Sequence, residues 1–180
     1  MEYRKIIIDE MNLDLFSAFE RYQEVTKCRR KIDGQWVIVD DPFIDQWSKD
    51  EYEILVSYLK NTIKTYGVVL GAFVDGKLKG FASVESTPLG SNREYLDLSS
   101  IHVSYDSRGK DIGKKLFDMA AKWAKEQGAS KLYISAHSAV ESQMFYKAMG
   151  CVEATEYNEE HVKREPCDLS LIHISEPTRH

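Results

Sequence analysis

The residues whose order could do chemistry lie between Ser99 and Cys151. Ile101-His102-Val103 ends an alternating run, and Ser104 to Ser107 lead into Arg108-Gly109-Lys110-Asp111-Ile112-Gly113 at the start of a helical pattern. A strand, a glycine-containing turn and a helix N-terminus leave amide N–H groups without partners, and the helix dipole adds partial positive charge there. Such a place can hold a pyrophosphate. Arg108, Lys110 and Lys114 add charge, and Gly113 lets the backbone approach closely. The stretch lacks the Gly-Lys-Ser/Thr ending of a Walker loop and the Gly-x-Gly-x-x-Gly of a dinucleotide site. Upstream, regular alternation would put Asp97, Ser99, Ile101 and Val103 on one face. A carboxylate at Asp97 would then act as a base through water if burial raised its pKa. His102 has a suitable intrinsic pKa but falls on the other face unless a bulge intervenes, and His137 stands at a later strand end.

These residues need a scaffold. Tyr3 to Ile8 reads as a strand, and Asn12 to Lys27 as a helix with Leu13, Leu15, Phe16, Phe19 and Tyr22 on one face. Gly34 breaks a weak hairpin with Gln35 to Val39 as its second arm. Ser48 to Tyr66 is a helix with Ser48 and Glu51 as a capping box. Val68 to Val74 and Leu78 to Ser86 flank an Asp75-Gly76 turn, and Glu94 to Ser104 is a third long strand. Ile112 to Gln127 is a helix stopped by Gly128, followed by a strand at Lys131 to Ala136. A helix at Val140 to Met149 and a strand at Cys151 to Tyr157 follow. A meander followed by alternating helices and strands implies a mixed sheet covered by helices.

The arrangement resembles the GNAT superfamily of N-acetyltransferases. That family has a Leu/Ile-x-Val strand end, then Gln/Arg-x-x-Gly-x-Gly/Ala, then a Phe/Leu-Tyr-x-x-x-Gly-Phe-like segment. Here stand Ile101-His102-Val103, Arg108 to Gly113, and Phe145-Tyr146-Lys147-Ala148-Met149-Gly150-Cys151, with matching order from about Val68 to Tyr157. The resemblance implies an α/β (α+β) acyl-CoA N-acyltransferase fold, with a mixed, mostly antiparallel central sheet splayed for the cofactor and flanked by helices. It implies an enzyme passing acetyl from acetyl-CoA, without a metal, to the amine of a small molecule or peptide.

By the same resemblance, the backbone at Ile101, His102 and Val103 would pair with the pantetheine arm. Arg108, Gly109, Lys110, Asp111, Ile112, Gly113 and Lys114 would hold the pyrophosphate. Ser138 and Ser142 would stand in for an asparagine that many relatives place near Ala139. Tyr146 matches the family tyrosine that protonates the leaving thiolate, and a phenol of pKa about 10 can donate to a thiolate of about 8.5. Asp97 and Ser99 fall where some relatives carry a catalytic Glu or His, while many relatives use no dedicated base. Asp111 departs from the pattern, occupying the place of the first signature glycine. That departure and the missing asparagine leave one alternative, a non-catalytic acyl-CoA-binding sensor or interaction domain.

The 180 residues, 43% of them hydrophobic, suit one domain. No apolar run is long enough for a membrane helix, and the N-terminal residues lack a secretory pattern. The three cysteines, Cys28, Cys151 and Cys167, lack paired spacing, so a disulfide framework or zinc site is not expected and a reducing cytoplasm is. A net charge of -5 argues against general nucleic-acid binding. The acidic residues Asp40, Asp41, Asp45, Asp50 and Glu51 would suit a polyamine or simply face solvent, and Trp36, Phe43 and Trp47 would line an acceptor pocket or pack. A monomer or homodimer is expected. The domain is expected to span residues 1–168. The remaining residues, 169–180, read LSLIHISEPTRH and look like translated sequencing-adapter sequence, which would make any strand over Asp168 to Ile174 a chance alternation.

Overall fold

Alternating apolar residues around the Asp75-Gly76 turn build the centre of the sheet. In the computed structural model, which describes residues 1–137, 139–164 and 168–174, this hairpin joins β4 (Val68–Val74) to β5 (Lys77–Val84). Asp75 and Gly76 both have positive φ, as the tightest hairpin turns require. Around it lie β1 (Glu2–Lys5) and β6 (Tyr95–Val103). β7 (Lys131–Ala136), β8 (Val152–Glu153) and β9 (Leu169–Ile174) complete a seven-stranded sheet in the order β1-β4-β5-β6-β7-β9-β8. Among the described residues only β6 and β7 pair in parallel. β2 (Tyr22–Ile32) and β3 (Gln35–Gln46) form a separate antiparallel ribbon.

Helices cover both faces. α1 (Lys49–Lys64) begins at the expected capping box: Glu51 N–H donates to Ser48 Oγ and Ser48 N–H to the Glu51 carboxylate, each at 3.3 Å. Its Val56 and Leu59 pack with Val69, Phe73 and Phe81. On the other face Leu116, Phe117, Ala120 and Ala124 of α2 (Ile112–Glu126) pack with Leu70, Ala82, Val84, Leu96 and Leu98. Gly80 permits this close approach, since a Cβ there would stand 2.6 Å from Ile112 Cγ2. α3 (Val140–Ala148) follows β7, and the short α4 (Glu159–Arg164) precedes β9. The mixed, mostly antiparallel sheet with flanking helices is the fold the sequence implied.

Three local expectations fail. Asn12 to Lys27 is not a helix. Asn12 caps a 3-10 turn at Leu13–Phe16, and the chain then turns into β2. The apolar residues between Phe16 and Cys28 divide between two jobs. Phe16 and Phe19 bury against Phe81, while Val25 and Cys28 form a small core with Val39, Phe43 and Ala139. Ten register pairs with β3 outweigh a weak local helix preference. The strand expected at Cys151 to Tyr157 shrinks to Val152–Glu153, and α4 was not foreseen. The strand expected at Tyr3 to Ile8 stops at Lys5.

β6 departs from regular alternation. Val84 faces Leu98 but Ser83 faces Ser100, so one extra residue bulges near Ser99. Leu96, Leu98, Ile101 and Val103 consequently pack toward α2, while Ser100 and His102 face the α1 side with Ser83 and Phe81. The expected common face of Asp97, Ser99, Ile101 and Val103 does not exist. Leu169–Ile174, beyond the expected limit of the domain, forms β9 between β7 and β8, with Leu169 to Ile172 buried.

Candidate active site

Where β6 leaves β7, the sheet opens. Their parallel pairing covers only Tyr95, Asp97 and the residue between them, matched to Lys131 through Tyr133. Beyond the bulge the β6 edge that faced β7 has no ladder partner among the described residues. The gap is a cleft of about 740 Å³, lined by Leu98 through Val103 and by Ser135 and His137 at the end of β7. Unpaired strand edges at this width invite an extended chain between them.

One wall is the turn before α2. Ser107, Arg108, Gly109, Asp111, Ile112, Gly113 and Lys114 line the cleft, whereas Lys110 does not. The helical ladder begins with Lys115 N–H donating to Asp111 O at 3.1 Å, so the amides of the first turn have no intrahelical acceptor. Asp111 has φ 60° and ψ 18°, in the left-handed region, and its exposed side chain caps nothing. That backbone conformation gives the physical reason for a glycine at this position; aspartate reaches it at some cost. Gly113 sits tight, since a Cβ there would lie 3.2 Å from the Phe145 ring.

The opposite wall is α3, with Glu141, Ser142, Phe145, Tyr146 and Met149 facing the cleft. Ser138 lies outside the described residues. Tyr146 is held by Phe145 and Phe117, with ring centroids at 5.3 and 6.5 Å. Burial, with Cys151 and Asp168 adding to it, pushes its phenol well above the usual range, so it stays protonated. Burial also pushes the Cys151 thiol up to about 12, which leaves no thiolate for nucleophilic work.

The far end of the cleft is built from the ribbon and from β6. Arg21, Gln23, Asp45 and Trp47 line it together with His102. His102 rests against Trp47 at 4.7 Å and Phe81 at 5.4 Å between ring centroids. Burial, then the charges of Arg21 and Arg108, then His137, bring its pKa down to about 3. It is therefore neutral at ordinary pH and a poor base.

Asp97 does not reach the cleft. The residue is 6% exposed, and its carboxylate lies 3.1 Å from His161 Nε2 of α4. The extra residue at the bulge and the partnership with α4 turn it away from where a base would be needed. A second carboxylate does connect to the cleft: Ser99, a lining residue, donates to Glu85 at 2.5 Å. Thr62 Oγ1 lies 3.0 Å from both Glu85 oxygens, and Ser83 joins Ser99 at 2.7 Å and Ser100 at 2.5 Å. Burial raises the Glu85 pKa, and the Ser99 and Thr62 hydrogen bonds partly offset it. Among the described residues no group of three His, Cys, Asp or Glu is placed to hold a metal ion, and no helix is long and apolar enough to cross a membrane.

The family model of the acetyltransferase (GNAT) family matches residues 32–151, more than half of the chain. The chain belongs to the GNAT acetyltransferase family. It is accordingly an enzyme, an acyltransferase. No curated protein matches it by sequence. Among solved structures, nourseothricin acetyltransferase shares 18% identity at TM-score 0.66, over 95% of each chain. An acetyltransferase from Bacillus anthracis str. Ames, solved in complex with acetyl coenzyme A, shares 16% identity at TM-score 0.68, over 95% of this chain and 94% of that one. The PaiA N-acetyltransferase from Thermoplasma acidophilum, in complex with coenzyme A, shares 16% identity at TM-score 0.60, over 97% and 98%. At these identities the likeness is one of fold.

The GNAT cleft of this chain fits a CoA thioester: open strand edges for an amide-bearing arm, orphan amides at a helix start for a diphosphate, and a protonated phenol between α3 and β6. Sequence reasoning missed Arg21, Gln23 and Glu85. Arg21 and Gln23 were hidden in a segment with a helical apolar pattern, and Glu85 closes β5 with no spacing that ties it to Ser99. Trp47 was named as a pocket candidate, and it lines the cleft.

Proposed function

We propose that this enzyme transfers acetyl from acetyl-CoA directly to a primary amine. The observation that supports this most is that orphan amides of α2, the free edge of β6 and the Tyr146 phenol all line one cleft. Amides from Gly109 to Lys114 would hold the diphosphate, and the backbone from Ile101 to Val103 the pantetheine arm. The cofactor supplies an activated thioester carbonyl; the chain supplies position and proton movement.

The acceptor enters as an ammonium ion and must lose a proton. Ser99 takes that proton while passing its own to Glu85, whose raised pKa suits it to receive one. The free amine then attacks the carbonyl, a carbon–nitrogen bond forms, and the carbon–sulfur bond breaks. Tyr146 donates to the departing thiolate, and the second amine proton makes good the phenol. The sum is N-acetylated product, CoA thiol and one proton released from Glu85 to solvent. No acyl-enzyme is required, consistent with the suppressed thiolate at Cys151. The acceptor is a small molecule or peptide, the cytoplasm suits the buried free Cys28 and Cys151, and a monomer or homodimer suffices.

Thiol release from acetyl-CoA across a panel of amines tests this reading. Turnover that Tyr146→Phe lowers strongly supports it. CoA binding without turnover on any amine would refute it.

A further inference from the structure

The β2–β3 end of the cleft is built by arginines. Arg21 is 8% exposed, yet among the described residues only one of its nitrogens is satisfied through its side chain: Nη2 donates to Asp45 Oδ2 at 2.8 Å, with Gln23 Oε1 at 3.4 Å. Nε and Nη1 are buried with no hydrogen-bond partner. A guanidinium has five N–H donors, and a buried charge with unmet donors is costly unless something answers it. Trp47 lies beneath it, with the guanidinium carbon 5.2 Å from the ring centroid, and supplies only a weak counterpart.

Arg108 approaches the same place. Its Nη2 donates at 2.7 Å to the carbonyl of Tyr22, the residue next to Arg21. The side chain is thus turned toward β2. Desolvation first, and then the charge of Arg21, hold the Arg108 pKa below its usual value. Two guanidinium groups therefore meet beside one carboxylate, Asp45. His102, the next titratable group on that surface, is neutral, and among the described residues Asp45 is the acid that hydrogen-bonds to Arg21; the other acids lining the cleft are Asp111, Glu141 and Asp168. Of the acidic residues that would suit a polycation, Asp41 pairs with Arg30, Asp45 with Arg21, and Glu51 closes the capping box of α1.

We infer that Arg21 and Arg108 form a carboxylate-binding subsite at the β2–β3 end of the cleft, and that the acceptor is an amine bearing a carboxylate, as in an amino acid. The inference rests on the acetyl-transfer reading and names its substrate class. A planar carboxylate matches the fork of a guanidinium and would supply the missing negative charge. It would also fix the amine relative to Ser99, since both line one cleft.

The test compares L-amino acids with their amides, with the corresponding decarboxylated amines and with spermidine, by thiol release and by calorimetry on the CoA complex. The carboxylate-bearing member of the best series is expected to exceed its amide at least tenfold in kcat/KM. Arg21→Gln should remove most of that preference through KM while CoA affinity stays within twofold. Asp45→Asn, which keeps the shape and frees Arg21, should act oppositely and lower KM for carboxylate-bearing amines; it keeps the inference testable if Arg21→Gln does not fold. Amides, decarboxylated amines or spermidine used as well as the amino acids would overturn the subsite and leave acetyl transfer standing. Carboxylate-dependent binding without turnover would do the reverse. Neither binding nor turnover of any carboxylate-bearing amine would overturn the subsite outright.

Discussion

The two ends of the cleft are made of different material. At the α2 end the donors are backbone amides, set by one strand–turn–helix passage from Val103 to Lys114. At the β2–β3 end the working groups are side chains drawn from far-apart positions, Arg21, Asp45, Trp47, His102 and Arg108. A backbone site tolerates sequence change provided the turn survives. A side-chain site changes its ligand with a single substitution. This contrast suits a family that keeps its donor and varies its acceptor.

Substitutions can sharpen or break the contrast. The largest effect is expected between the two ends: Tyr146→Phe should lower kcat about 100-fold with little change in CoA affinity, the scale of lost general-acid catalysis. Pre-steady-state thiol release measures it, and an unchanged kcat would remove Tyr146 from the chemistry. Next is Glu85→Gln, expected to lower kcat/KM about tenfold. Because burial raises the Glu85 pKa, the base is lost as pH falls through that raised value; wild-type kcat/KM should rise with pH there. A pH profile of the variant should lack that limb, and a limb that persists would assign it to another group. Weaker again is Asp111→Gly, at the backbone-made end. Removal of a charge near the diphosphate, a contact of about 1 kcal/mol in water at 4 Å, should tighten CoA binding a few-fold. Titration calorimetry reads this, and an unchanged dissociation constant would mean the exposed carboxylate stays clear of the diphosphate.

The same contrast explains what could be read from the sequence. The strand, turn and helix start over Ile101 to Gly113 were legible because each is set by residues close in sequence. The β4–β5 hairpin and both long helices were legible for the same reason: a turn dipeptide, a capping box and a stopping glycine each act within a few residues. The ribbon was not. Tyr22 to Ile32 has apolar residues compatible with a helix, and only the register with Gln35–Gln46 decides for a strand. Misreading that segment concealed Arg21 and with it the acceptor end. The bulge near Ser99 was likewise invisible, since one extra residue in β6 shows only against its partner β5. It exchanged Asp97, turned to His161, for Glu85, reached through Ser99.

The central claim is that orphan amides after Ser107 grip a diphosphate while the opened β6 edge holds the arm attached to it. Titration calorimetry of the protein with CoA and with pantetheine, which lacks the diphosphate, tests it most directly. One CoA per chain, bound at least 100-fold tighter than pantetheine and weakened by salt, is the predicted result. No association with CoA, or equal affinity for the two, would contradict it.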